Sequence, residues 1–326
     1  MNDRAVSVLS EYDFEVIRTW KGRGAILFET PEGICILKEY SGLLKRLEEQ
    51  NALLAHIRDN SPVSVEEILP NKEGELITKD VYGDAYVVKT YFSGRECSIR
   101  DEEECTRAVR TLAKMHKAMI MPVQEGEVFA AGLDKEYEKH NRELKKVRRF
   151  LRDKSQKNDF EIYLLKFYDE FMEKAFEVTE RWNNCRNLDC CEQIGNKKTW
   201  CHGDFQYHNF LIDGNDTFVI NFEKCVCDSQ MRDLYLFLRK LLEKNNWSLS
   251  TGNMILDAYQ KEKTLSAEDM EQLYYRLAYP EKFWKIVNFY YNTGKSWIPG
   301  RNMEKFDKLL KQETEKELFL NTLLRC

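Results

Sequence analysis

The chain has 326 residues, of which 43% are hydrophobic, 12% aromatic and 32% charged. That is enough apolar material for a sizeable core and, at about 100–200 residues per domain, for two domains or lobes. Fifty basic against 55 acidic residues give a formal net charge of -5, without the basic excess of a nucleic-acid binder, and the apolar content excludes a disordered chain. No stretch approaches the roughly 18 uninterrupted apolar residues of a membrane helix, so no membrane partner is expected.

Asp3 and Arg4 precede a short apolar run ending near Leu9, which lacks a signal-peptide core. Synthesis in the cell interior is therefore expected. The ten cysteines are sparse and irregularly spaced, so they read as free thiols packed as small hydrophobes rather than a disulfide scaffold.

The first ninety or so residues read mainly as strand. Phe14 to Trp20, Ala25 to Glu29 and Ile34 to Glu39 are rich in apolar, aromatic and β-branched residues. Turns at Lys21-Gly22-Arg23-Gly24 and Pro31-Glu32-Gly33 separate them into an antiparallel meander. A helix follows Ser41, with Leu43, Leu44, Leu47, Leu54 and Ile57 near helical spacing. Strand character returns over Glu75 to Thr78 and Ala85 to Phe92.

Beyond Ser93-Gly94 the pattern changes. Asp101 to Met119 carries Cys105, Ala108, Val109, Leu112, Ala113 and His116 at helical intervals behind an acidic first turn. Charged helices are expected over about Lys135 to Leu151 and Asp159 to Arg181, then a polar loop over Asn183 to Lys198. Trp200 to Phe222 forms a strand-like block, and helices run to the end. A sheet-rich lobe over 1–93 thus precedes a helical lobe over 94–326, hinged near Phe92 to Arg95.

The densest polar cluster in an apolar setting is Cys201-His202-Gly203-Asp204-Phe205-Gln206-Tyr207-His208-Asn209, followed by Phe218-Val219-Ile220-Asn221-Phe222-Glu223. An Asp and an Asn five residues apart enter a hairpin whose far strand returns further polar side chains to the same edge. Phosphoryl transfer uses such a set, with a carboxylate to orient or deprotonate the acceptor and oxygen ligands for Mg²⁺. The group of Cys185, Cys190, Cys191, Cys201, Cys225 and Cys227 with His202 and His208 contains no C-x-x-C pair, which speaks against structural zinc.

This spacing resembles the H-G-D-x-x-x-x-N loop and following I-D-[FW]-[DE] strand of the aminoglycoside phosphotransferase and choline kinase group. The resemblance implies an α+β, bilobal protein-kinase-like fold with a small antiparallel-sheet N-lobe and a larger, mostly helical C-lobe. It implies Asp204 as catalytic base and Asn209, Asn221 and Glu223 at the metal. Gly22 and Gly24 would cover the nucleotide phosphates, Lys38 would contact them, and Glu48 (or Glu49) would pair with Lys38. His202 and Asp233 would support the catalytic loop. The Gly22-Arg23-Gly24-Ala25 turn, Asn221 to Cys225, Arg232-Asp233-Leu234, Tyr279 to Trp284 and Lys295 to Pro299 resemble more closely the CotS-type spore-coat branch of that superfamily. That likeness implies synthesis in the mother-cell cytoplasm, later association with the spore coat, and other coat proteins as partners.

Asn221 stands where the group carries a metal-binding aspartate. A neutral amide brings no charge to a hard cation, and one charge at 4 Å is worth about 4 kcal/mol on the partly screened Coulomb scale. At about 1.4 kcal/mol per tenfold, phosphoryl transfer would slow by orders of magnitude. Glu223 could take over the metal only if the strand twists, because alternation sets it on the same face as Asn221 but not at the same point. Two readings follow: a pseudokinase or nucleotide-binding scaffold of the coat, with ATP and a weakened Mg²⁺ site, or an active ATP- and Mg-dependent phosphotransferase acting on a small-molecule hydroxyl or amine.

Overall fold

The computed structural model describes residues 3–22, 24–122, 130, 132–185, 193–194, 197–292 and 299–323. The chain divides into two compact units, one of residues 1–128 with 193–227, the other of 129–192 with 228–326. This partition is a different division from the one at residue 93 expected from the sequence.

The first unit opens with α1 (Asp3–Ser7) and a 3-10 turn (Val8–Glu11), whose Ala5, Val8 and Leu9 pack with Tyr12, Phe28, Leu37 and Val88. Strands β1 (Arg18–Gly22), β2 (Ala25–Thr30) and β3 (Gly33–Glu39) form the expected meander. β1 starts later than expected because Phe14 stacks on Tyr12 and Phe28, each at 5.2 Å, and so belongs to the core rather than the ladder. Helix α2 (Leu44–Asn60) buries Leu47, Gln50, Leu53, Leu54 and Ile57 along one face.

Next come β4 (Ser64–Val65), β5 (Ile68–Leu69), β6 (Thr78–Lys79) and β7 (Ala85–Thr90). The main sheet runs β1-β2-β3-β7-β5, with β6 also paired to β7, all antiparallel. The strand expected over Glu75 to Thr78 shrinks to its end. Asn71 Oδ1 accepts from the backbone N–H groups of Glu73 and Glu75, which holds that stretch as a turn.

After β8 (Arg95–Glu96), helix α3 (Glu102–Ala118) is capped by Asp101, whose side chain accepts from Glu103 and Glu104 N–H. The short strands β9 (Ile120–Pro122), β10 (Gln193–Ile194), β11 (Lys197–Cys201), β12 (Phe210–Asp213), β13 (Asp216–Val219) and β14 (Val226–Cys227) complete the unit. They form a β4-β13-β12-β8 sheet, parallel only at β4/β13, and a β10-β11-β14 sheet with β9 on β11. The hairpin carrying the catalytic-type loop is therefore embedded in sheet on both sides.

All described elements of the second unit are helices: α4 (Leu133–Asp153), α5 (Asp159–Asn184), α6 (Met231–Lys244), α7 (Leu249–Gln260), α8 (Ala267–Ala278), α9 (Glu281–Asn292) and α10 (Pro299–Leu323). Asn158 and Glu161 close a capping box at the start of α5. Phe171 stacks on Phe283 at 4.6 Å within a core that also holds Tyr168 and Phe306. Phe283, Trp284, Tyr290 and Tyr291 belong to or pack on that core; Trp297 lies outside the described residues.

Candidate active site

His202, fully buried after β11, starts the loop. Its Nδ1 accepts from the Asp204 N–H at 3.2 Å, and Nε2 meets the Ile220 carbonyl at 2.9 Å. That pairing fits the neutral tautomer protonated on Nε2, and it ties the loop to the end of the hairpin. Gly203 is obligatory: its φ is +78°, and a Cβ there would lie 2.0 Å from the Lys224 carbonyl oxygen. Asn209 donates to the Asp204 carbonyl at 2.9 Å, closing the loop across five residues.

The Asp204 carboxylate accepts from Gln206 at 2.6 Å and from Lys224 Nζ at 2.8 Å. Burial raises its proton affinity, but the hydrogen bonds from Lys224 and Gln206 win and hold it below the usual carboxylate range. It is therefore ionised and available as a base at neutral pH, with an ammonium already seated on one oxygen.

Asn221 and Glu223 do not share a strand face, contrary to the alternation expected from sequence. β13 ends at Val219; Asn221 is left-handed (φ 66°, ψ 56°) and opens a 3-10 turn over Phe222–Lys224. The ladder stops because its groups are redirected: the Ile220 carbonyl goes to His202, and the Phe222 N–H goes to Glu66 Oε1 at 3.0 Å. Asn tolerates the left-handed region better than most residues. Its Nδ2 donates to Asn209 Oδ1 at 2.8 Å, and its Oδ1 accepts from Lys38 Nζ at 3.2 Å.

Lys38 also reaches Glu223 Oε1 at 3.5 Å. Lys89, which sequence reasoning did not single out, completes the network. It is 2% exposed and bonds Glu66 at 3.0 Å and Glu223 at 2.9 Å. Ile36 pairs with Lys89 and Lys38 with Val87 across β3/β7, so the two lysines are diagonal neighbours on one face of the sheet. Burial works against the charge on Lys89, but Glu66 and Glu223 outweigh it and raise its proton affinity. For Glu223, burial is outweighed by Lys89 and Lys38, and its pKa falls to about 2. Gln50 of α2 adds a bond to Glu66 at 3.4 Å.

Of the residues expected at the site, His202, Asp204, Asn209, Asn221, Glu223 and Lys38 come together. Glu48 does not. It lies on the exposed side of α2, lining a broad surface pocket that Ser7, Asn51 and Lys79 also line, while Gln50 occupies the side turned to the network. Glu49 pairs with Arg46 at 3.1 Å. Gly22 and Gly24 flank the β1–β2 turn, with Arg23 outside the described residues. The register setting Ile26 opposite Leu37 places Lys38 level with that turn. Asp233 is fully buried in the first turn of α6, in the second unit. A signal for Lys89 existed in the sequence: a lone lysine closing the apolar run Tyr86-Val87-Val88.

The charges at the site cancel in pairs: Lys38 and Lys89 against Glu66 and Glu223, Lys224 against Asp204. Asn209, Asn221 and Glu223 do not fit a Mg²⁺ ion in this arrangement. Two are neutral amides bonded to each other, and the third is a carboxylate already shared by two ammoniums. Among the described residues, no three His, Cys, Asp and Glu side chains are grouped as metal ligands.

Fold and loop together define a kinase-like class. The crystal structure of an aminoglycoside phosphotransferase from Alicyclobacillus acidocaldarius subsp. acidocaldarius matches with a TM-score of 0.84 over 98% of this chain and 95% of that one, at 17% identity. Spectinomycin phosphotransferase, solved with ADP and spectinomycin, matches with a TM-score of 0.65 over 95% and 96%, at 11% identity. The α+β, bilobal kinase-like fold expected from sequence is therefore the fold of this chain.

More narrowly, the chain belongs to the spore-coat family described as "Spore coat putative kinase YutH", whose model matches residues 6–323. It is 25% identical to spore coat protein S of Bacillus subtilis (strain 168), over 97% of this chain and 92% of that protein. The CotS-type resemblance stands.

Proposed function

We propose that this chain is a pseudokinase of the spore coat, with lobes over 1–93 and 94–326, that binds nucleotide without a catalytic metal and docks other coat proteins. The observation that carries this reading is the closed charge balance around Asn221. Its amide bridges Asn209 and Lys38, and Glu223 is neutralised from two sides. Lys38, 31% exposed at its side chain, is the group best placed to meet nucleotide phosphates, and the spectinomycin phosphotransferase of the same fold holds ADP. His202 serves as a support of the loop, and the chain joins the coat after synthesis in the mother cell, a reading that its family membership supports.

A thermal-shift titration with ATP, with and without Mg²⁺, tests it. Ligand bound only by the folded state at a hundredfold excess over Kd stabilises by about 2.7 kcal/mol. The expected result is a rise in midpoint with ATP that Mg²⁺ does not increase, lost in Lys38→Ala. Asn221→Asp should make the rise metal-dependent. Mg²⁺-dependent phosphate release by the parent chain, abolished by Asp204→Asn, sinks the proposal. The second reading, an active phosphotransferase for a small hydroxyl or amine acceptor, draws its support from Asp204, which is ionised in a fully formed loop.

A further inference from the structure

The helical unit carries a cavity of about 160 Å³ formed by the C-terminal half of α6, the α8–α9 corner and α10. It shares no lining residue with the Asp204–Lys38 group, so its chemistry is independent of the proposed function. The volume is roughly ten times what one water needs. Its lining mixes apolar surface from Trp247, Tyr279, Pro280 and Leu309 with seven Lys and Arg side chains and only two carboxylates, Glu243 and Glu281.

Both carboxylates are already engaged. Glu243 pairs with Arg239 at 2.6 Å and Lys282 at 3.3 Å, and Glu281 pairs with Lys285 at 3.1 Å. Seven cations against two carboxylates leave five positive charges unmatched in a chain whose net charge is -5.

Two buried groups make this more than a basic surface. Lys316 is 8% exposed, and its Nζ donates to the Ala278 carbonyl at 3.3 Å. Among the described residues, no carboxylate lies within ion-pair distance of it. Arg239 Nε is buried without a hydrogen-bond partner. A buried cation is normally paired, and an unmet buried donor is costly. Burial pushes Lys316 and Lys240 below the ordinary lysine range, outweighing the pull of Glu313 and Glu243 on Lys316 and of Glu243 on Lys240.

We propose that this cavity binds a compact multivalent oxyanion, a phosphate- or carboxylate-bearing small molecule, with Lys316 and Arg239 as its buried donors. Lys305 and Lys308, exposed on α10, form the cationic rim, and the apolar lining accepts the ligand's alkyl or aryl part.

The test is calorimetric titration of the full chain, at low salt, with inorganic pyrophosphate and with citrate, against acetate at matched ionic strength. At least one multivalent anion should bind and raise the melting midpoint where acetate does not; the tighter of the two identifies phosphate or carboxylate as the natural group. Lys305→Ala with Lys308→Ala should weaken binding at least about tenfold, and Lys38→Ala should leave it unchanged. Lys316→Met should abolish the anion's effect and raise the midpoint of the unliganded chain, because an uncompensated buried charge is gone. Binding no tighter than acetate overturns the proposal, as does binding indifferent to the two rim lysines or lost in Lys38→Ala. A lower unliganded midpoint for Lys316→Met with the anion response intact does so too.

Discussion

In the first unit, the ammoniums of Lys38 and Lys89 meet Glu223 and Glu66 at 2.9–3.5 Å and Lys224 meets Asp204 at 2.8 Å. In the second unit, Lys316 is buried with a backbone carbonyl as acceptor, and the cavity it lines has five more cations, Lys316 included, than carboxylates. The contrast concerns what each region still needs. A balanced network holds its own geometry and has nothing to offer a dication. An unbalanced one carries a standing cost that a ligand of opposite sign would relieve. The region that carries the catalytic-type loop is thus electrostatically closed, and the region lined by Tyr279 to Lys282, α6 and α10 is open.

The largest effect on this contrast should come from Lys89→Met. It would leave Glu66, 3% exposed, buried as an unpaired carboxylate, and would remove one of the two cations on Glu223. Removing one partner of a buried pair costs about 3–5 kcal/mol, read as a lower denaturation midpoint at unchanged slope. Replacing Lys89 and Glu66 together by Met and Leu should recover most of that loss. A cost for Lys89→Met alone no larger than that of an ordinary surface substitution would show that the network does not organise the site.

Gly203→Ala comes next. The left-handed φ of +78° and the Lys224 carbonyl 2.0 Å from the new Cβ force the loop away from the turn that carries Lys224. Such strain and displacement should cost about 2–4 kcal/mol in equilibrium unfolding. The same change should loosen the Lys224–Asp204 contact, so the Asp204 carboxyl should titrate nearer its usual range.

Acid probes the balanced network directly. The pKa of Glu223 in the folded chain, about 2, lies below its ordinary value of 4.5. Its share of stability is therefore fully present above 4.5 and is lost as pH falls through that value toward about 2. Denaturant midpoints measured down that window should decline more steeply for the parent than for Lys38→Ala, in which Glu223 keeps one cation fewer. Equal slopes would mean that Lys38 contributes nothing to holding the carboxylate ionised.

Much of the fold and site is legible in the residues themselves. Ala25 to Glu29 and Ile34 to Glu39 announce β2 and β3, Asp101 announces a capped α3, and the loop from His202 to Asn209 announces its own closure through Asn209 and the Asp204 backbone. These features are local, set by period, cap and spacing. What escapes is non-local or a matter of backbone sign. Lys89 meets Glu223 across 134 residues of chain, so nothing near either residue marks the pair. Alternation could not foresee that Asn221 would turn left-handed, because that turn depends on His202 and Glu66 capturing the neighbouring backbone groups. Gln50 replaces Glu48 at the network because the rotation of α2 is fixed by Leu47, Leu54 and Ile57. The cationic cavity gathers its charges from α6, α9 and α10, whose sequences read singly as ordinary solvated helices.

The smallest expected effect concerns Lys224, the cation on Asp204. Its side chain is 68% exposed, so the pair is screened by water and should contribute about 0.5 kcal/mol or less to stability. Lys224→Ala should therefore leave the unfolding midpoint nearly unchanged while moving the Asp204 carboxyl up toward its usual range, because the hydrogen bond from Lys224 is the largest influence holding it down. An NMR pH titration of that carboxyl, set beside the unfolding curve, separates the two quantities. A large loss of stability would place Lys224 with Lys89 as part of the framework. A shift in titration alone would mark it as a removable cation seated on the base, the one point at which the balanced site can be opened without weakening the fold.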